Sequence, residues 1–306
     1  MSLAATTLTP GPASTGHLGR RKVRNRLVWV LCGVALLLVV VPVVSILVGV
    51  VGRAFAHFHF SLLTTYPLGN NGGLLNSVEG TLVIVAGVLV IAGGIGVAGG
   101  VYLAEYTRTG RGGFLRGASE VLAGVPSIVV GLVGYLALVV ALHWGYSVVA
   151  GVVAVSVIVL PYVVKTTEVS LRSVPTAYRE GAEALGMRSG YTLRKLVLRP
   201  ALPGIATGLI IALAIAGGET APLLYTAGYS TRPPTLGLHS SPIGYLTYNV
   251  WTDYNQPSTI AHERADAAAL LLIVLVLLFI VIARLIVTAT QRHAPDRPQR
   301  LGKRRR

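Results

Sequence analysis

Long apolar runs separated by shorter polar stretches set the pattern of this chain. Six runs, at about 27–51, 81–103, 121–142, 147–168, 202–226 and 267–289, reach the length that calls for a bilayer rather than a protein core. Each is predicted to be a helix, because a segment in hydrocarbon must satisfy every backbone N–H and C=O within itself. The alternating ten-residue segments of a membrane barrel are missing. The expected fold class is an all-α integral membrane protein with six transmembrane helices.

Composition agrees. Of 306 residues, 53% are hydrophobic and only 12% charged, and the mean hydropathy is +0.68. A soluble domain carries about 25% charged residues, so a soluble globular enzyme is excluded. The net charge of +15 would suggest nucleic acid on a soluble chain. Here its distribution gives another answer. The N-terminal stretch holds Arg20, Arg21, Lys22, Arg24 and Arg26, the second inter-helix segment Arg108, Arg111 and Arg116, and the fourth Arg172, Arg179, Arg188, Arg194, Lys195 and Arg199. Eight more occur from Arg284 onward, which puts 22 of the 26 Lys and Arg residues on one side, against Arg53, Arg232 and Arg264 on the other. The positive-inside rule then places both termini in the cytoplasm of a multi-pass cell-membrane protein, with no nucleic-acid partner.

The ends of the chain, 1–26 and 291–306, read as disordered basic cytoplasmic tails, the second closing on Lys303-Arg304-Arg305-Arg306, which suits anionic membrane lipid. Ala54-Phe55-Ala56 mimics a signal-peptide cleavage site, but the run before it is too long for one, so 27–51 is expected to stay as an uncleaved first transmembrane helix. Cys32, the single cysteine, lies in that run and reads as a small hydrophobe.

The segment between the fourth and fifth runs carries most information. From Ser173 it reads SVPTAYREGAEALGMRSGYTLRKLVLRPALPGI. Pro175 suits a first helical turn, and Tyr178, Ala182 and Leu185 come after it at helical spacing beside Arg179, Glu180 and Glu183. Gly186 lets the chain turn, Ser189 can cap a second short helix, and Pro200 and Pro203 precede the fifth span. Mixed charge on such a hairpin favours a protein partner over a purely lipid-facing role.

Glu180-Gly181-Ala182 followed by Gly186 resembles the EAA loop of binding-protein-dependent ABC importer permeases, with Gly181 in place of an alanine and Arg199 where that loop ends in proline. Three further strings, Gly124–Leu132, Leu160–Glu168 and Gly218–Leu224, resemble phosphate-importer permease subunits of the PstA type. The likeness covers about residues 75–290 and implies a type I ABC importer permease core, with the coupling loop near 173–200. It implies that Glu180, Gly181, Ala182 and Gly186 dock into a separate ATPase subunit. The other implied partners are a homologous second permease subunit, an extracytoplasmic phosphate-binding protein and phosphate itself. ATP and magnesium would be used by the ATPase, and no cofactor is expected on this chain. Related phosphate permeases commonly carry an arginine where this chain has Ile215.

Ionisable groups at membrane depth cost about 2.5–3.5 kcal/mol each and need a reason. Glu219 lies in the fifth run, shortly before Pro222; Lys165 and Glu168 are three apart in the fourth, on one face and able to pair. All three are candidates for the translocation pathway. Glu219 alone would repel phosphate, so it is expected to orient a base or a gate, or else to anchor helices; Lys165 alternatively snorkels to headgroups. At 1.5 Å per residue, Glu219 falls about 25 Å from the cytoplasmic start of its run and Lys165 about 27 Å from the outer start of its own, so the two are not expected to touch.

The chain lacks a Gly-x-x-x-x-Gly-Lys-Ser/Thr phosphate loop and the His-Glu-x-x-His and Gly-x-Ser-x-Gly motifs, so it is not expected to be an enzyme. Three classes stay open on the residues alone: the permease subunit of an ATP-driven phosphate importer, an ion-coupled or passive transporter that needs no ATPase, and a noncatalytic membrane scaffold. The hairpin would be idle in the second.

Overall fold

The computed structural model describes residues 16–68, 71–107, 111–235, 237 and 239–291. They form two compact units, divided between Gly52 and Arg53. The first is a helical stretch: α1 (Gly16–His57) starts inside the basic segment, so residues 16–26 are helix rather than tail, and its side chains from 21 to 48 are exposed. The rest of the two expected tails, 1–15 and 292–306, lies outside the described residues.

The second unit opens with the last residues of α1, followed by α2 (Ser61–Thr64) and a two-stranded antiparallel ribbon, β1 (Pro67–Leu68) and β2 (Asn71–Gly72), in which Pro67 faces Gly72. A 32-residue span, Leu75–Tyr106, comes next. It comprises α3 (Leu75–Val88), a π-helical turn at Leu89–Gly93, α4 (Gly94–Val101) and a second π turn at Tyr102–Tyr106.

The third apolar run is not one straight helix. α5 (Arg111–Ala123) and α6 (Ser127–Gly134, extended by a π turn to Ala141) meet at 98°. Pro126 explains the corner: its ring denies Val125 the helical region, and Gly124 before it is a poor helix former. Hydropathy ran through the corner because all three residues are uncharged.

α7 (Val148–Arg172) is the fourth span, started by the Ser147 side chain, which accepts the Ala150 N–H at 3.3 Å. Its run of valines would disfavour a helix in water, but in lipid the helix alone pairs the backbone. After α8 (Ala177–Ala184), a single 30-residue span covers Ser189–Gly218: α9 (Ser189–Thr192), a π turn at Leu193–Val197 and α10 (Leu198–Gly218). The expected second short helix is therefore the root of the fifth span, and Ser189 is its first residue rather than its cap. Pro200 is accommodated because the carbonyl four residues back, Leu196, lies in the widened turn. α11 (Ala221–Thr226), α12 (Leu246–Tyr254) and α13 (Thr259–Gln291) complete the chain. Among the described residues five helices are long and apolar enough to cross a membrane, six if the bent α5–α6 pair is one span.

α7 is the hub. Val152, Val155, Val159 and Val163 pack with Ile84 and Val88 of α3, Ala212 and Ala216 of α10, and Leu223 of α11. Small residues let the spans approach: a Cβ on Gly96 would meet Val163 at 2.7 Å, and one on Gly208 would strike Thr166. In lipid such close packing replaces the hydrophobic drive between helices.

Candidate functional site

α8 ends in a Schellman cap. Gly186 has φ +66°, its N–H bonds to the Glu183 carbonyl (2.9 Å), and the Met187 N–H reaches back to the Ala182 carbonyl (2.9 Å). Nothing lies within 4 Å of a Cβ placed on Gly186, so glycine is required by the backbone conformation and not by space. Of the expected apolar stripe only Ala182 is buried; Tyr178 and Leu185 are 50% and 74% exposed, and Met187 and Tyr191 are exposed beside them. Glu180 and Gly181 are also uncovered, and a Cβ on Gly181 would meet open space. The four sequence-predicted loop residues thus share one short helix and its cap, surrounded by uncovered apolar side chains.

Arg179 faces the other way. Its Nε and Nη2 donate to the two oxygens of Glu105 (3.3 and 2.6 Å), its Nη2 to the Leu171 carbonyl (3.1 Å) and its Nη1 to the Val174 carbonyl (3.1 Å).

Lys165 and Glu168 line one cleft of about 180 Å³ with Pro161, Arg116 and Glu120. The shared face is as expected, but the two are not each other's partners. Glu168, its side chain 6% exposed, accepts from Arg116 Nε at 2.7 Å and pairs with Arg172 at 3.0 Å. Arg116 also donates to the Leu103 carbonyl (3.0 Å) and the Thr107 hydroxyl (3.2 Å). Lys165 instead stands 3.4 Å from Glu120, both exposed. The expected Lys165–Glu168 pair is replaced because α5, folded back at its corner, brings an opposite charge to each.

Glu219 sits in a break between helices, not within one. α10 stops at Gly218, Glu219 is extended (φ −70°, ψ 131°), and α11 restarts with Pro222 in its first turn. The Thr247 hydroxyl donates to the Glu219 carbonyl at 3.0 Å, satisfying a group that the break would leave unpaired. The corner before α6 lies against this break: Ser127, the first residue of α6, neighbours the Glu219 carboxylate, and a Cβ on Gly131 would fall 2.8 Å from Pro222 Cα. A groove of about 450 Å³ adjoins the break, lined by Thr220, Thr247, Trp251, Tyr254 and Asn255. Its polar groups are neutral. Ile215 packs on the core and brings no charge to the break.

Beyond the groove, Asp253 is buried and held by both ends of the Arg264 fork (2.7 Å each). Asn249 joins it to Ser77 (2.6 Å) and Tyr229 (3.3 Å). The segment 227–266, between the fifth and sixth apolar runs, therefore exposes Trp251 and Tyr254 but roots Asp253 in the core. Among the described residues no group of three metal-ligating side chains occurs, and His57 faces Glu263 at 3.4 Å.

Sequence reasoning missed Ser127, Thr247, Arg116, Arg179 and Glu105 as site residues. Ser127 lay inside a quoted string, and Pro126 in the middle of an apolar run was a usable sign of a break; the remaining contacts are long-range and left no local pattern.

Three comparisons with known proteins bear on this arrangement. Residues 96–294 match the family of binding-protein-dependent transport system inner membrane components. The chain is 53% identical over 267 residues to the phosphate transport system permease protein PstA 2 of Mycobacterium bovis, covering 87% of this chain and 89% of that one. It is 34% identical to the phosphate transport system permease protein PstA of Yersinia pestis, covering 87% and 90%. Among solved structures, an inward-facing form of the MetNI methionine ABC transporter superposes with a TM-score of 0.55 at 22% identity, over 71% of this chain and 97% of that chain. The last shows the fold alone.

Proposed function

This chain belongs to the family of binding-protein-dependent transport system inner membrane components, and we propose that it is the permease subunit that carries inorganic phosphate into the cytoplasm. The observation that carries the reading is the α8 hairpin: a rigidly capped helix presenting Glu180 among uncovered Tyr178, Leu185, Met187 and Tyr191, on a chain with no phosphate loop of its own. That surface fits a separate ATPase, which would bind ATP and magnesium and hydrolyse the nucleotide. The names of the relatives support phosphate as the cargo.

In this reading both termini are cytoplasmic, as the basic residues are distributed. An extracytoplasmic binding protein delivers phosphate to the Trp251 side, and a homologous second permease closes the other wall of the path. The facing breaks at Gly124–Pro126 and Glu219–Thr220 form the polar passage. An ionised Glu219 is acceptor-only, so it does not attract the anion's charge; it holds the Ser127 hydroxyl or receives a P–OH proton. Lys165 and Glu168, tied to α5, stand at the cytoplasmic end of the same path.

Radiolabelled phosphate uptake at low phosphate, in cells lacking other phosphate transporters, tests the reading. The native chain should restore uptake lost on its deletion. Glu219→Gln should lower uptake about tenfold or more, the scale of a weakened hydrogen bond to a charged group. Glu180→Lys should abolish uptake while the chain stays in the membrane. Unchanged uptake by Glu180→Lys would remove the docking role, and unchanged uptake on deletion would remove phosphate as cargo.

A further inference from the structure

Glu180 marks the face of α8 turned outward, but a motion imposed there reaches the membrane only through contacts on the opposite face. Ala182 supplies packing there, and Arg179 supplies four hydrogen bonds from three nitrogens to three chain segments. Glu105 lies in the π turn that closes the Leu75–Tyr106 span, Leu171 is in the last turn of α7, and Val174 is just beyond it. The planar five-donor fork of arginine makes this set of bonds geometrically natural, and a lysine has no equivalent. A second clamp binds the same span end. The Leu103 carbonyl, in the same π turn, accepts from Arg116 (3.0 Å) and Arg172 (3.4 Å), and both arginines also hold Glu168 of α7. The ends of the second and fourth spans are therefore joined to each other and, through Arg179, to α8.

We propose that Arg179 is a positioning residue that fastens the hairpin to these two spans together, so that a displacement of α8 moves their ends as one body. Resting on the importer reading above, this makes the Arg179–Glu105 fork the element that converts ATPase closure into span movement. Loss of the fork would leave nucleotide hydrolysis running while transport falls.

The test uses the full chain assembled with its ATPase, second permease and binding protein in proteoliposomes, with phosphate import and ATP hydrolysis measured together. Arg179→Lys keeps the charge without the fork, and Glu105→Gln keeps the carbonyl contacts of Arg179. Each should retain hydrolysis within about twofold and lose import per ATP by at least about fivefold. A cargo-independent arm labels Tyr106→Cys in a Cys32→Ser background. The native fork should give an ATP-dependent change in labelling rate, and Arg179→Lys should lose it. An unchanged import-to-hydrolysis ratio, or a labelling change that survives Arg179→Lys, overturns the proposal. Failure of both single variants to assemble would assign the fork to folding alone and overturn it too. A native complex that imports no phosphate would refute the cargo, while the labelling arm would still decide the fork.

Discussion

At the scale of single residues, the two carboxylate-bearing pairs around the 180 Å³ cleft differ sharply in consequence. Glu168 is almost wholly enclosed and holds two arginines, whereas Lys165 and Glu120 meet in the open. Removing one partner of a buried pair costs about 3–5 kcal/mol, while an exposed pair is worth about 0–1 kcal/mol. Glu168→Ala should therefore lower the thermal stability of the purified protein by about 3 kcal/mol, at the low end because Arg116 and Arg172 keep access to water. Lys165→Ala should leave stability within about 1 kcal/mol of the native chain, and the two unfolding transitions measured side by side check both. The sequence showed that Lys165 and Glu168 share a helical face. It did not show their partners, which lie 45 and 52 residues away on a segment whose fold depends on a corner.

At the scale of elements, the runs of apolar residues located the spans well and their interruptions poorly. Hydropathy averages composition, and neither Gly124-Val125-Pro126 nor Gly218-Glu219-Thr220 lowers the average enough to be seen. What breaks the helix at these points is backbone chemistry: a proline that constrains its neighbour, and a carboxylate residue in an extended conformation whose carbonyl is satisfied by Thr247. The two interruptions meet where Gly131 passes Pro222, backbone against backbone. A side chain there has nowhere to go, so Gly131→Val should cost about 1–3 kcal/mol through overpacking and reduce the yield of folded protein. The coupling-loop motif was far more legible, since its glycine is dictated by one dihedral angle at Gly186, and a local requirement leaves a local mark. The second short helix was misread because a proline pair ordinarily announces a helix start, and the π turn at Leu193–Val197 let the fifth span begin earlier.

At the scale of the whole molecule, the proposed topology sorts charge by side. Two of the three basic residues on the sparse side are engaged by acids, Arg53 with Asp266 at 2.9 Å and Arg264 with Asp253 at 2.7 Å. In the proposed topology the excess on the other side orients the chain. With Cys32→Ser as background, Leu185→Cys should react with a membrane-impermeant thiol reagent only in inverted vesicles, and Trp251→Cys only in intact cells; the opposite pattern would invert the topology. Both positions are exposed on this chain, so in membranes stripped of the ATPase accessibility depends on the side of the membrane and not on packing. The π-helical turns bear on a different property, the tolerance of this architecture to changes in length. A π turn accommodates one residue more than the α-helical turn it replaces without rephasing the downstream helix. Loss of a residue from Leu89–Gly93 or Tyr135–Ala141 would retighten the turn and keep the downstream faces, whereas the same deletion inside α7 would rotate every later side chain by about 100°. The turn at Tyr102–Tyr106 is the exception, because its Leu103 carbonyl and Glu105 carboxylate are both held by arginines. Single-residue insertions and deletions among relatives should therefore collect at Leu89–Gly93 and Tyr135–Ala141 and avoid Tyr102–Tyr106.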